Sequence, residues 1–144
     1  MASFVENGVT LQWSDVFETG HPEIDRQHRQ LLSDSARLRL RVENGAAWNE
    51  VRSALSTLLA DCSEHFRYEE TVLREFEFPR AEAHAQQHRM IENILQQLAN
   101  LVAAVDEGGV EERKMAMTLE RKILEIIVRH DLDYKSHLLN ASGR

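Results

Sequence analysis

The chain has little of what braces or breaks a fold. A single cysteine, Cys62, in 144 residues excludes an internal disulfide, so folding does not depend on an oxidising compartment. Six glycines and two prolines leave long stretches without punctuation, and none interrupts a periodic run. No stretch approaches the roughly 18 apolar residues of a membrane span, and residues 1–20 lack the basic start and apolar run of a secretory leader. A cytoplasmic protein with no membrane partner is therefore expected. Positive charge is also scarce: 17 Lys and Arg against 24 Asp and Glu leave a net charge of −7. That balance argues against a nucleic-acid partner, which needs clustered cations. A Gly-rich phosphate loop and a nucleophile elbow are both missing. No acid/base pair placed for an organic substrate is readable, so the chain is not expected to be an enzyme.

What is present suits one globular domain over residues 1–144, with 42% apolar and 28% charged residues. Four stretches repeat apolar residues at helical spacing, at about 23–43, 48–76, 80–107 and 110–140. The first carries Ile24, His28, Leu31, Ser35, Leu38 and Val42 on one stripe; the second runs from Val51 through Leu58 and Cys62 to His65, Glu69 and Val72. Short connections make sequence neighbours antiparallel, and no segment shows strand alternation. The expected fold is all-α, an up-down-up-down four-helix bundle. Residues 1–20 are expected to form an irregular N-terminal arm that packs Trp13 and Phe17 on the bundle.

His28, His65, Glu69, His84 and His88 occupy stripe positions that call for Leu or Ile. Buried ionisable groups cost several kcal/mol unless they are paired or coordinated. One such residue is ordinary; five on three helices point to a metal centre. His65 with Glu69, and His84 with His88, lie one turn apart on one helix face. Imidazole and carboxylate together suit Fe, Zn or Mn, whereas Ca²⁺ prefers oxygen alone. His84-Ala85-Gln86-Gln87-His88 lacks the Glu that follows the first His of a zinc protease. The paired Glu-x-x-His motifs of ferritin-like carboxylate centres are also lacking; Glu18-Thr19-Gly20-His21 matches but sits beside Pro22.

Ile24-Asp25-Arg26-Gln27-His28, His65-Phe66-Arg67-Tyr68-Glu69-Glu70, the His84/His88 pair and Asp131-Leu132-Asp133-Tyr134-Lys135 together resemble the hemerythrin family in its bacterial branch. The likeness runs from about Leu11 to Leu138. It implies two non-haem Fe ions (Fe²⁺/Fe³⁺) with a bridging oxo or hydroxo group, and O₂ or another small exogenous ligand as partner. By the same resemblance, His28 and His65 hold one iron, while His84 and His88 hold the other with a further histidine from the last helix. Glu69 and Asp131 bridge the two, and O₂ binds on the His28/His65 side.

The sequence departs from that pattern at one ligand. The family's last histidine stands five residues before the bridging Asp, and counting back from Asp131 reaches Ile126. Anchoring on His130 instead would put Lys135 at the bridge, where an ammonium cannot join two cations. His130 as a substitute ligand lies about 6 Å along the helix and roughly 40° round it from Ile126. That is far for a bond of roughly 2 Å, and a boundary histidine near the bundle end is the competing reading. Lys122 stands where the family usually has an aromatic residue. Loss of one imidazole leaves an open position on the His84/His88 iron, so anions can enter and stabilise Fe(III). The implied function is an oxygen-binding, redox- and oxygen-sensing signalling domain that autoxidises readily. An O₂ storage or carrier protein is the alternative, and a di-iron peroxide- or NO-processing enzyme a second. The end of the last helix is similar to hemerythrin domains joined to output modules such as a diguanylate cyclase, fused or partnered.

Elsewhere, His21 reads as part of a helix start, His137 as solvated and Cys62 as a core thiol. Glu70, turned about 100° from Glu69, reads as a hydrogen-bond acceptor behind a ligand or a surface group. Tyr68 and Tyr134 are candidates for lining the site, with core packing the simpler role.

Overall fold

The computed structural model describes residues 3–6, 9–12, 18–125, 134 and 138. Four helices follow one another: α1 (Pro22–Glu43), α2 (Trp48–Glu75), α3 (Ala81–Ala103) and α4 (Val110–Glu125). Each packs on its sequence neighbour, and α4 closes the ring against α1. This is the expected all-α four-helix bundle. Among the described residues no helix is long and apolar enough to cross a membrane. The expected continuation of α4 to 140 lies outside the described residues, apart from Tyr134 and Leu138. So do Trp13, Phe17, Ile126, His130, Asp131 and His137.

The arm differs from expectation. Strands β1 (Ser3–Glu6) and β2 (Val9–Gln12) pair antiparallel, with Phe4 opposite Leu11 and Val5 opposite Thr10. The signal was in the sequence: Asn7-Gly8, a strong two-residue hairpin link, stands between β-prone residues. Helix α3 also stops at Ala103 rather than near 107.

Helix ends follow local chemistry. The α1 N-cap is His21, whose Nδ1 accepts from the Ile24 amide at 3.4 Å, and Pro22 fills the first turn, where no amide donor is needed. At its other end, Ala46 N–H donates to Arg41 C=O (2.9 Å) and Gly45 N–H to Val42 C=O (3.2 Å), with Gly45 at φ 67°. This left-handed closure repeats after α2, where Phe78 N–H donates to Leu73 C=O (2.9 Å) and Glu77 N–H to Arg74 C=O (3.1 Å). There the left-handed residue is Glu77, at φ 55°.

The apolar interior falls into two parts. The larger cluster joins Leu31, Leu38, Trp48, Leu58, Phe66, Leu95, Val102, Leu119 and Ile123, among others. The smaller gathers Ile24, Val72, Leu73, Phe78, Ala81, Tyr134 and Leu138. Trp48 shuts the far end, donating to Val105 C=O at 3.1 Å, and Gly108 lies so close that a Cβ there would come 2.1 Å from its ring. A buried ion pair, Arg39 to Glu120 at 2.9 Å, ties α1 to α4. Between the two clusters lies a layer of polar side chains.

Candidate metal centre

Helical spacing carries each member of that layer inward. His28 sits in the second turn of α1, His65 and Glu69 in the second half of α2, and His84 and His88 in the first turns of α3. Antiparallel packing brings the start of α1, the end of α2 and the start of α3 to one level. The five side chains are at most 3% exposed. They form two triads that could hold a metal ion, His28/His65/Glu69 and Glu69/His84/His88, with donor atoms in each triad within 4.8 Å of one another.

Glu69 organises both. Its Oε2 faces one pair of imidazoles, at 2.9 Å from His65 Nε2 and 3.9 Å from His28 Nε2. Its Oε1 faces the other, at 2.6 Å from His84 Nε2 and 3.3 Å from His88 Nε2. One carboxylate thus divides four histidines two and two. The Tyr134 hydroxyl donates to Oε2 at 2.6 Å. Burial pushes the Glu69 carboxyl up, but the charge of His65, its close contacts with His65 and His84 and the nearby His28 outweigh it and hold the group well below the usual range.

The outer nitrogens are also held. His65 Nδ1 lies 2.9 Å from Gln27 Oε1, and His88 Nδ1 lies 2.9 Å from Glu70 Oε2. Both partners are acceptors, so each Nδ1 carries a proton and turns the ring's Nε2 toward Glu69. Where Nε2 also carries a proton and donates it to Glu69, a cation between them displaces that proton and takes up the nitrogen lone pair. The donor set therefore fits a pair of metal ions: two imidazoles on each side and a carboxylate able to reach both. Phe66 stacks on His88 with ring centroids 4.0 Å apart and an 11° tilt, fixing the ring plane.

Several sequence expectations can be placed. Asp131, the expected second bridge, Ile126, at the altered ligand position, and His130, the substitute, lie outside the described residues. His21 stands away from both triads, its ring edge against Tyr68 at 5.9 Å. Tyr68 therefore packs near the start of α1, whereas Tyr134 lines the site. Cys62 is buried in the larger apolar cluster and belongs to neither triad. Gln27 carried no signal in the sequence, because its stripe position is ordinary and its role appears only once α2 is beside it.

A cleft of about 300 Å³ between α1 and α2 borders this layer at His65, lined also by Arg26, Gln27, Gln30, Asp61 and Glu64. A larger groove of about 610 Å³ between α2 and α3 is lined by Leu55, Leu59, Cys62, Leu95 and Ala99, with Glu92 among its polar residues.

Comparison with known proteins agrees with this geometry. A family profile described as the hemerythrin HHE cation binding domain matches residues 19–139. Two curated relatives named Bacteriohemerythrin, from Campylobacter jejuni subsp. jejuni serotypes O:6 and O:2, are each 34% identical over 100 residues, covering 69% of this chain and 68% of theirs. The span of the family profile takes in His28, His65, Glu69, His84 and His88 together, and the chain belongs to the hemerythrin HHE cation-binding domain family.

Proposed function

We propose that the chain is a redox- and oxygen-responsive sensory domain that holds two iron ions in the layer around Glu69 and autoxidises readily. The observation that carries the di-iron reading is the division of four buried imidazoles between the two oxygens of one carboxylate. His28 and His65 would hold one ion, and His84 and His88 the other. Glu69 would span both, together with Asp131 from the last helix, the assignment the family resemblance gives it. Iron held there supplies one-electron redox chemistry and affinity for O₂ and other small ligands.

The chain's own residues set the conditions for that chemistry. Helices α2 and α3 present His65 and His88 with the proton fixed on Nδ1, so little reorganisation of these rings is needed when a cation binds. The apolar clusters on either side keep bulk water from the layer. The cleft beside Gln27 and His65 offers small ligands a path on the His28/His65 side. Tyr134 holds a proton at Glu69 Oε2, the oxygen facing that same side.

Sensing is favoured over storage by Ile126, which removes an imidazole from the His84/His88 side and leaves a position open to anions. The domain is not proposed to be a catalyst. Its partner would be an output module, with a fused diguanylate cyclase the type the last helix suggests.

Metal analysis with optical spectra of anaerobic and then aerated protein tests the reading. Two irons per chain and a single conversion on aeration that does not reverse on removing O₂ are expected. Restoring the imidazole with Ile126→His should slow that conversion by about tenfold or more, the scale on which metal surroundings act. An unchanged rate would overturn the sensory reading. A spectral change that lasts many minutes and reverses would favour a carrier, and repeated turnover of peroxide or nitric oxide an enzyme.

A further inference from the structure

The two histidines whose outer nitrogens are held are held unequally. His65 donates to Gln27, a neutral amide beside the α1–α2 cleft. His88 donates to Glu70, a carboxylate only 3% exposed. Glu70 does not stand alone: Arg89 reaches it with Nη1 at 2.9 Å and Nη2 at 2.5 Å, and Arg67 Nη1 at 2.6 Å. Behind them, Glu92 pairs with Arg67 and, at 3.4 Å, with Arg89, and it accepts from Ser63 Oγ at 3.2 Å. Three guanidinium N–H groups within hydrogen-bond distance favour the ionised form of this carboxylate. An ionised carboxylate accepts only, so it leaves His88 a single tautomer, with the proton on Nδ1 and the lone pair on Nε2.

We propose that Glu70 is a positioning residue for one of the two metal positions: clamped by Arg67 and Arg89, it fixes the His88 tautomer and makes that imidazole a stronger donor than His65, whose Nδ1 faces the neutral amide of Gln27. The inference rests on the di-iron reading above. Its physical basis is that a hydrogen bond to an ionised acceptor is roughly twice as strong as one to a neutral acceptor. It therefore draws the ring proton further and enriches the opposite nitrogen. By the family register, which puts Ile126 at the last histidine's place, the position so enriched is the one short of an imidazole, and charge behind one ligand would partly replace a missing ligand. The two metal positions are electronically unequal in consequence.

Three variants test this. Glu70→Gln keeps an acceptor of the same shape but removes its charge; Glu70→Ala removes both; Gln27→Glu places a carboxylate behind His65. Arg67 and Arg89 are about half exposed, and Glu92 remains to them, so Glu70→Gln should fold. In chelated protein, nitrogen NMR of the His88 ring should show the proton on Nδ1 in the wild type and a tautomer mixture in Glu70→Ala. In iron-loaded protein, Glu70→Ala should weaken one of the two metals about 10–100-fold and leave the other unchanged. Glu70→Gln should raise the reduction potential of one iron only, and Gln27→Glu should lower that of the other. Unchanged potentials and Mössbauer signatures in Glu70→Gln and Gln27→Glu would overturn the inference, even if Glu70→Ala failed to fold. If two irons bound and Glu70→Ala left the His88 proton in place, the inference alone would fall. A wild-type chain that bound no iron while His88 kept its proton on Nδ1 would instead overturn the di-iron reading.

Discussion

At the scale of single residues, the layer's inward members were legible because each breaks an apolar stripe of its own helix. His28, His65, Glu69, His84 and His88 could be picked out from spacing alone, since nothing in their sequence neighbourhood accounts for a polar group at a core position. Their supporting residues were harder to see. Gln27, Glu70 and Tyr134 lie beside the stripe or on another helix, and each acquires its partner only when two helices meet. Asp34 is a second case. It is buried at 1% exposure, accepts from Gln30 at 3.0 Å, and faces Asp61 across the α1–α2 interface. Burial, and then the hydrogen bond shared with Asp61, push its carboxyl from 3.8 up to about 6, against the pull of Gln30 and Arg37. The folded chain thus keeps a proton that the unfolded chain has already released, and stability falls as pH rises between those two values. Asp34→Asn removes that loss. In chelated protein its melting temperature should exceed that of the wild type at about pH 7, and the gap should close at about pH 4, as followed by circular dichroism.

At the scale of elements, the four helices followed from periodicity, and their limits from caps. Gly45 and Gly109 sit just past the end of α1 and just before the start of α4, and Pro22 opens α1, as their conformational preferences dictate. The end of α3 was less legible. The sequence runs on through apolar Val105, whose carbonyl instead accepts from the Trp48 indole. The hairpin shows the opposite failure, since Asn7-Gly8 was a usable signal but the strands are too short for alternation to stand out. The two left-handed helix ends differ in a way that can be tested. Gly45 adopts its φ at no steric cost, whereas exposed Glu77 takes φ 55° against the crowding of its own Cβ. Glu77→Gly should stabilise the fold by about 0.5–1 kcal/mol, a rise of roughly 2–4 °C in melting temperature by calorimetry.

At the scale of the whole molecule, the bundle architecture was legible and its internal division was not. The division depends on which side chains meet at one level, and that is set by antiparallel packing rather than by any one segment. A layer of four imidazoles and a carboxylate separates two apolar clusters, so a metal bound there would couple the smaller cluster to the larger. Ligands that bind only the folded state stabilise it in proportion to the logarithm of their excess over Kd. Removing iron with a strong chelator should therefore lower the melting temperature by on the order of 10 °C, with an intact helical spectrum below the transition. No shift on chelation would mean that the layer holds no ion. The layer also lies toward one pole. The α2–α3 turn borders it, while the α1–α2 turn around Gly45 and the loop between α3 and α4 lie at the opposite pole, capped by Trp48. Those two remote connections are thus the natural splice points for a fluorescent reporter, and with Gly108 spared on account of Trp48, a graft around Gly45 should report on the domain without perturbing what it carries.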